Sequence, residues 1–302
     1  MRVLVTGAAG YIGSAVVQAL AATGHEPVAL VHRHRERVPV NVEVRSGDVL
    51  DVSSLTAALD GVEAVCHLAG LGSGRESFGI PVRYFQVNVG GTLALLDAMA
   101  DAEVHQIVFA STAAIYGTPD RQPMSEDLPD APPHPYAASK AAAEAALMWQ
   151  AHTGTMASTA LRIFNAAGGD DPDPWRLLPR VLAVAAGRQD TVEVNGDGSA
   201  VRDYLDVADA ADAFVAALDH PAELGMSRRY NVGSGVGTSV IDIVTAVERV
   251  TGRRVPVTHR PAVAEPAALV CDPSRAVTEL DWKPRRSDLD GIVRDAWAKS
   301  AS

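Results

Sequence analysis

The chain has 302 residues, 47% hydrophobic and 21% charged, a balance that excludes a disordered chain and suits one large domain or two modest ones. Lys and Arg total 26 against 37 Asp and Glu, and the resulting net charge of −11 argues against general binding to nucleic acid or an anionic membrane, though not against a local basic pocket. The two cysteines, Cys66 and Cys271, lack the spacing of a metal knuckle and are expected as small buried apolar residues in a reducing compartment.

Val3–Gly24 carries no charge, but Gly7, Gly10 and Gly13 break it. It therefore reads as strand (Val3–Val5), turn and buried helix (Ser14–Ala22), not as a membrane span or signal peptide, and a cytoplasmic protein is expected. Strands follow at Val28–Val31, Val42–Val44 and Ala64–His67, with a helix at Ser53–Leu59. A helix at Val89–Ala100 and a strand at Gln106–Ala110 continue the alternation. This order implies the doubly wound α/β class, a parallel sheet with helices on both faces. Six prolines between Thr118 and Pro135 make an ordered extended loop. It ends where an Ala-rich helix, Ala137–Trp149, begins at Tyr136. A strand at Leu161–Phe164 leads into the loop Gly168–Pro174, a helix near Leu178–Ala186 and a loop at Asn195–Ser199. Asp206 reads as the N-cap of a helix over Ala208–Leu218, and further helices are expected at Val240–Val250 and Leu289–Ala298. The expected division is a dinucleotide-binding domain over 1–165, rejoined by about 200–245, and a smaller interleaved substrate-binding lobe within 166–302.

Thr6-Gly7-Ala8-Ala9-Gly10-Tyr11-Ile12-Gly13 follows the first strand and opens the first helix. In that position the glycines permit a tight turn, close approach of backbone to a pyrophosphate, and packing of helix on strand. The helix start adds free N–H donors. Tyr136 and Lys140, four residues apart, share one face of the helix that begins there. An ammonium ~4 Å from a phenol is worth about 4 kcal/mol at an effective dielectric of ~20 before desolvation is subtracted, and together with the positive charge of an oxidised nicotinamide it is expected to bring Tyr136 into range as a base for an alcohol proton. Thr112, at the carboxyl end of a strand, is placed to hydrogen-bond the reacting oxygen.

The TGxxGxxG spacing, with Ser111-Thr112 and Tyr136-Ala137-Ala138-Ser139-Lys140, resembles the short-chain dehydrogenase/reductase superfamily. The likeness extends along nearly the whole chain, through Leu161-Arg162-Ile163-Phe164-Asn165, Val201-Arg202-Asp203-Tyr204 and Asn231-Val232-Gly233-Ser234-Gly235. It is to the extended branch, the nucleotide-sugar epimerases and dehydratases, and most to the UDP-glucose/UDP-galactose 4-epimerases. The resemblance implies a Rossmann sheet, a homodimer, a nucleotide-sugar substrate and catalysis by Thr112, Tyr136 and Lys140. It implies cofactor contacts at Gly7, Gly10, Tyr11, Ile12, Gly13, Asp48, Val49, Leu68, Ala69, Gly70, Asn88 and Phe164, as well as Tyr136 and Lys140. Substrate contacts follow at Asn165 (diphosphate), Leu178 (nucleobase slot), Arg202 (phosphate) and Thr112.

Departures from the pattern bear on cofactor and sugar. Where NAD-binding members place an acid at the end of the second strand, this chain has His32-Arg33-His34-Arg35. NAD is expected from the subfamily, with His32 and Arg33 at its ribose, and the two arginines keep a 2′-phosphate, hence NADP, in play. Arg75 resembles the arginine of epimerases acting on uronic-acid sugars. The family's late Arg-x-Gly-Asp has become Ala262-Val263-Ala264-Glu265, leaving Glu265 for the ribose and Arg260 for a phosphate. Ala113 and Ala114 stand where dehydratases carry carboxylates, which counts against dehydration. No metal site is expected, and His67, His105, His134, His152 and His259 read as structural or exposed. The expected activity is an NAD(P)-dependent 4-epimerase of a UDP-hexose or UDP-uronic acid, working through a transient 4-keto sugar. The alternative is an NADPH-dependent reductase of a 4-keto nucleotide sugar or other ketone.

Overall fold

The computed structural model describes residues 1–32, 36–263 and 265–300. Its first unit alternates β1 (Arg2–Thr6), α1 (Tyr11–Ala22), β2 (Glu26–Val31), β3 (Glu43–Ser46), α2 (Val52–Ala58) and β4 (Ala64–His67). The short helices α3 (Gly74–Ser77) and α4 (Pro81–Phe85) precede α5 (Gly91–Asp101), β5 (Gln106–Thr112), α6 (Pro135–Gln150) and β6 (Ala157–Ile163). Then come β7 (Asn165–Ala167), α7 (Leu177–Ala185), β8 (Val192–Asn195), β9 (Val201–Asp206), α8 (Val207–Asp219) and β10 (Ser227–Val232). The chain closes with β11 (Gly237–Ser239), α9 (Val240–Thr251), β12 (Val257–Arg260), β13 (Ala268–Leu269), α10 (Ser274–Glu279) and α11 (Leu289–Ser300).

Seven parallel strands form the main sheet in the order β10-β6-β5-β4-β1-β2-β3. β1 pairs with β2 on one side and β4 on the other, so the winding reverses there, and the carboxyl ends of β1 and β4 part to leave a crevice. Strands that pack helices on both faces must be apolar throughout, and β1 (Val3, Leu4, Val5) and β4 (Ala64, Val65, Cys66) are fully buried. One face carries α1 and α8, with Val16, Leu20, Phe214 and Trp282 in its core. The other carries α2, α5 and α6, with Leu55, Leu95, Met99 and Leu147. A third core, among them Leu182, Ile243, Val247 and Val293, joins α7, α9 and α11.

Of the stretch 200–245, only α8 and β10 join the main sheet; β9 pairs with β7, β11 and β13, and α9 belongs to the third core. Ala276, Leu280 and Trp282 also return to the first core, which local pattern does not reveal. β6 begins four residues ahead of the expected Leu161, because Ala157-Ser158-Thr159-Ala160 is buried among small residues that carry little strand signal. β10 escapes the pattern because Arg228 and Arg229 interrupt it at the sheet edge.

The Pro-rich loop is ordered by polar contacts. Asn231 donates through Nδ2 to Met124 O at 2.9 Å and accepts at Oδ1 from the Tyr116 hydroxyl at 2.7 Å. Met124 N–H donates to Val270 O, which fastens the loop to the second lobe. No described helix is long and apolar enough to cross a membrane.

Candidate active site

The crevice is a cavity of about 570 Å³ between the Gly turn, the ends of β4 and β5, the start of α6 and the segment 163–179. At its floor, Gly7 takes φ +70°, and a Cβ there would come within 2.7 Å of Ala69 N. A Cβ on Gly13 would lie 2.1 Å from Gly7 O, so only glycine brings α1 down onto the turn. Gly10 caps α1 with no side-chain hydrogen bond, leaving the first N–H groups of the helix facing the crevice. Thr6 and His67 brace this floor. The Thr6 Oγ accepts from Leu68 N and Ala69 N, both at 3.1 Å, and donates to His67 Nδ1 at 2.7 Å. His67 Nε2 then donates to Thr92 Oγ, whose own proton goes to Asn88 O. Burial, followed by the charge of Lys140, pushes the His67 pKa down to about 3, so the ring is a neutral strut.

Thr112 ends β5 and Tyr136 opens α6. That helix forms because Pro135 fits its first position, His134 Nδ1 caps Ala137 N–H at 3.1 Å, and an Ala-rich run follows. His134 stacks on Tyr136 with ring centroids 5.8 Å apart, and Tyr84 meets the same ring edge-on at 6.2 Å. Burial holds the Tyr136 phenol above its usual pKa, while a hydrogen bond with Thr112 and the charge of Arg176 draw it down. Lys140 Nζ donates to Ala110 O at 2.8 Å and lies 4.6 Å over the Phe109 ring. Burial lowers the Lys140 pKa to about 8 against the opposing charge of Glu144.

The crevice gathers Gly7, Gly10, Tyr11, Ile12, Gly13, Leu68, Gly70, Thr112, Tyr136, Lys140, Phe164, Asn165 and Leu178. Other expected site residues stand apart from it. Asn88 is spent internally: Oδ1 accepts from Leu71 N at 2.8 Å, and Nδ2 donates to Leu71 O and Ser139 Oγ. It fixes the loop after β4 instead of lining the cavity. Ala69 faces the Thr6 hydroxyl through its N–H, and Val49 packs under Gly91. His32 and Asp48 meet each other at 3.5 Å beyond the ends of β2 and β3. Arg33 lies outside the described residues. Arg75 is exposed on α3 and does not itself line the cavity, although its neighbours Gly72 and Gly74 do. Arg202 binds Glu265 at 2.7 Å and the carbonyls of Val201 and Pro266, so these two residues neutralise each other instead of lining the cavity. Arg260 is likewise paired with Glu193.

Arg176, which the sequence does not single out, and His134, expected to be structural or exposed, also line the cavity. His134 is the cap of α6, a role histidine seldom takes, and Arg176 lies in an Asp/Pro loop and carries no local signal. Among the described residues no cluster of His, Cys, Asp and Glu has the geometry to hold a metal.

A family model described as "NAD dependent epimerase/dehydratase family" matches residues 3–233. A UDP-glucose 4-epimerase of Corynebacterium glutamicum is 39% identical over 315 residues, covering 99% of this chain and 95% of that one. A crystal structure of a UDP-glucose 4-epimerase from Stenotrophomonas maltophila with bound NAD and formylated UDP-arabinopyranose is 35% identical, with a TM-score of 0.94 over 100% of this chain and 98% of that chain. One from Brucella ovis in complex with NAD is 38% identical, with a TM-score of 0.93, covering 98% of this chain and 97% of that chain.

Proposed function

Because the chain belongs to the NAD-dependent epimerase/dehydratase family, we propose that it is a nucleotide-sugar 4-epimerase that uses NAD and takes UDP-hexoses. The observation that carries this is the convergence of Thr112, Tyr136 and Lys140 beside a glycine cradle that a single Cβ would fill. That cradle, with the free N–H groups of α1, fits a dinucleotide pyrophosphate. NAD, when bound, supplies a reversible hydride acceptor for the sugar C4 carbon. The chain supplies the rest. Tyr136 removes the proton from the sugar 4-hydroxyl and returns it to the same oxygen at the end of the cycle. Thr112 has one lone pair committed to Ala114 N at 3.2 Å, and its proton remains free for Tyr136 or the sugar oxygen. Lys140, anchored on Ala110 O, presents its remaining protons to the cofactor ribose. Asn165 faces the substrate while its Nδ2 is tied to Asp203 O at 2.8 Å, and Leu178 walls the base. Inversion then needs only that the 4-keto sugar turn within the crevice before taking hydride on its other face.

The lobe that holds the dinucleotide comprises 1–165, α8, β10 and the 274–282 return, and the remainder forms the substrate lobe. We place the protein in the cytoplasm, where its buried free thiols remain reduced, and as a homodimer. The purified protein is expected to carry NAD and to interconvert UDP-glucose and UDP-galactose with no reductant added. Tyr136→Phe should retain the cofactor and lose about 10²–10⁴-fold in kcat, as read by a coupled assay. Stoichiometric consumption of NADPH during turnover would refute the reading.

A further inference from the structure

His134 stands two residues before Tyr136, and its ring meets α6 in two ways. Nδ1 accepts from Ala137 N–H at 3.1 Å, which places the ring hydrogen on Nε2. The ring also lies against Tyr136 with only 15° between the two planes, while the fully buried Tyr84 meets Tyr136 edge-on at 72°. Phe78 of α3 in turn closes edge-on against His134 at 6.3 Å. A Cβ on Gly74 would come within 2.8 Å of His134 Nε2 and 3.1 Å of its Cε1. Gly74 has no left-handed φ, so its missing side chain serves to make room for the imidazole.

We propose that His134 is a positioning residue for Tyr136, an assignment that rests on the role given to that tyrosine above: one neutral imidazole caps α6 and backs the phenol ring, and a proton on its Nδ1 releases the tyrosine. The cap fixes the backbone of the first turn and hence the direction in which the Tyr136 side chain leaves it. The stack and the Tyr84 edge then hold the plane of the ring, with its hydroxyl toward Thr112. Ser, Thr, Asp or Asn would cap the helix as well, but without a face for the phenol. Among aromatic side chains only the imidazole carries an acceptor within the ring, so histidine does both. Protonation would set Nδ1–H against Ala137 N–H, two donors face to face, and break the cap. The surrounding elements carry Arg75 and Glu76 on α3, Tyr84 on α4, Asp130 in the preceding loop, and Tyr136 and Lys140 on α6. Glu76 is spent on the Tyr84 hydroxyl at 2.8 Å, Asp130 on Arg162 and Lys140 on Ala110 O. Burial, rather than any of these charges, holds His134 below its ordinary pKa of 6.5, so the ring is neutral at pH 7 and the cap stands.

The experiment separates the two contacts in NAD-loaded protein. His134→Asn keeps a capping oxygen and removes both the ring and its titration, whereas His134→Phe keeps a ring and removes the acceptor. Each should lower kcat for UDP-glucose by about 10-fold with KM within about two-fold of wild type, because the tyrosine is misplaced while the substrate site is untouched. In a kcat profile over acid pH, wild type should carry an inflection below 6.5 that the Asn variant lacks. Hydrogen exchange of the segment 135–140 should be about 5-fold faster in the Phe variant and unchanged in the Asn variant, since one cap is worth ~1 kcal/mol. A kcat within two-fold of wild type in both variants, or an acid limb in the Asn variant that matches wild type, would overturn the proposal. Wild-type protein that retains NAD but epimerises nothing would refute the proposed activity instead, and the exchange rates would still report whether His134 caps α6.

Discussion

Lys140 shows how function and stability pull apart at one residue. Its side chain is 5% exposed, and burial lowers its pKa to about 8 from an ordinary value near 10.5. The native state therefore gives up this proton before the unfolded chain does, and stability rises as pH climbs from about 8 toward the ordinary value. Burying the charge at neutral pH costs on the order of 3 kcal/mol at about 1.36 kcal/mol per pKa unit, and the bond to Ala110 O, with the carbonyl that its loss would leave unpaired, offsets ~2 kcal/mol. Lys140→Met is thus expected to be inactive yet more stable by about 1 kcal/mol, raising Tm by roughly 2 °C in a thermal scan at pH 7. An unchanged or lower Tm would show that the ammonium is not strained. His134 is the complementary case. Burial lowers its pKa, which keeps Nδ1 free to cap α6 and keeps the ring neutral against Tyr136.

At the scale of elements, α6 must arrive at the crevice in one register, and a buried arginine fixes it. Arg162 on β6 is fully buried; it binds Glu144 on α6 through Nη2 at 2.7 Å and Asp130 of the Pro-rich loop through Nη1 at 2.8 Å. Its guanidinium lies 4.6 Å over the Tyr116 ring, and Glu144 also accepts from the Ser111 hydroxyl at the end of β5. One side chain thus ties strand, helix and loop together beneath Thr112 and Tyr136. Removing the cation leaves the buried Glu144 carboxylate without its partner, while the more exposed Asp130 keeps Arg229 at 3.9 Å, so Arg162→Met should cost about 3 kcal/mol in urea unfolding. Adding Glu144→Gln should recover part of that loss by neutralising the more buried carboxylate. A cost below 1 kcal/mol would show that the network holds nothing in place. The helix itself was legible from its Ala-rich run and Pro135, whereas its anchoring was not, because Arg162, Glu144 and Asp130 are distant in sequence and meet only when β6, α6 and the loop pack.

At the scale of the molecule, α5 and α6 pack side by side and expose Leu93 (47%) and Trp149 (67%) on their outer faces. Apolar side chains of that size on adjoining helices suit the interface of the proposed homodimer. Sedimentation at micromolar concentration should give twice the monomer mass for the wild type, and the monomer mass for the double variant Leu93→Asp, Trp149→Asp. A wild-type monomer would remove the proposal. The lobes are joined by Tyr116, Met124, Phe164 and Cys271, which form a small core of their own behind the crevice.

The sequence by itself determined the parallel α/β class and the glycine turn and pointed to the proposed triad of Thr112, Tyr136 and Lys140, because each rests on local spacing: a period, a turn, one helical repeat. Only the tertiary structure decided which charges work together. It turned Lys140 toward Ala110, closed Arg202 on Glu265, and left Arg75 outside. It also brought Arg176 and His134 to the tyrosine. Electrostatics depends on distance and burial in space, and neither can be read along a chain until the sheet has wound.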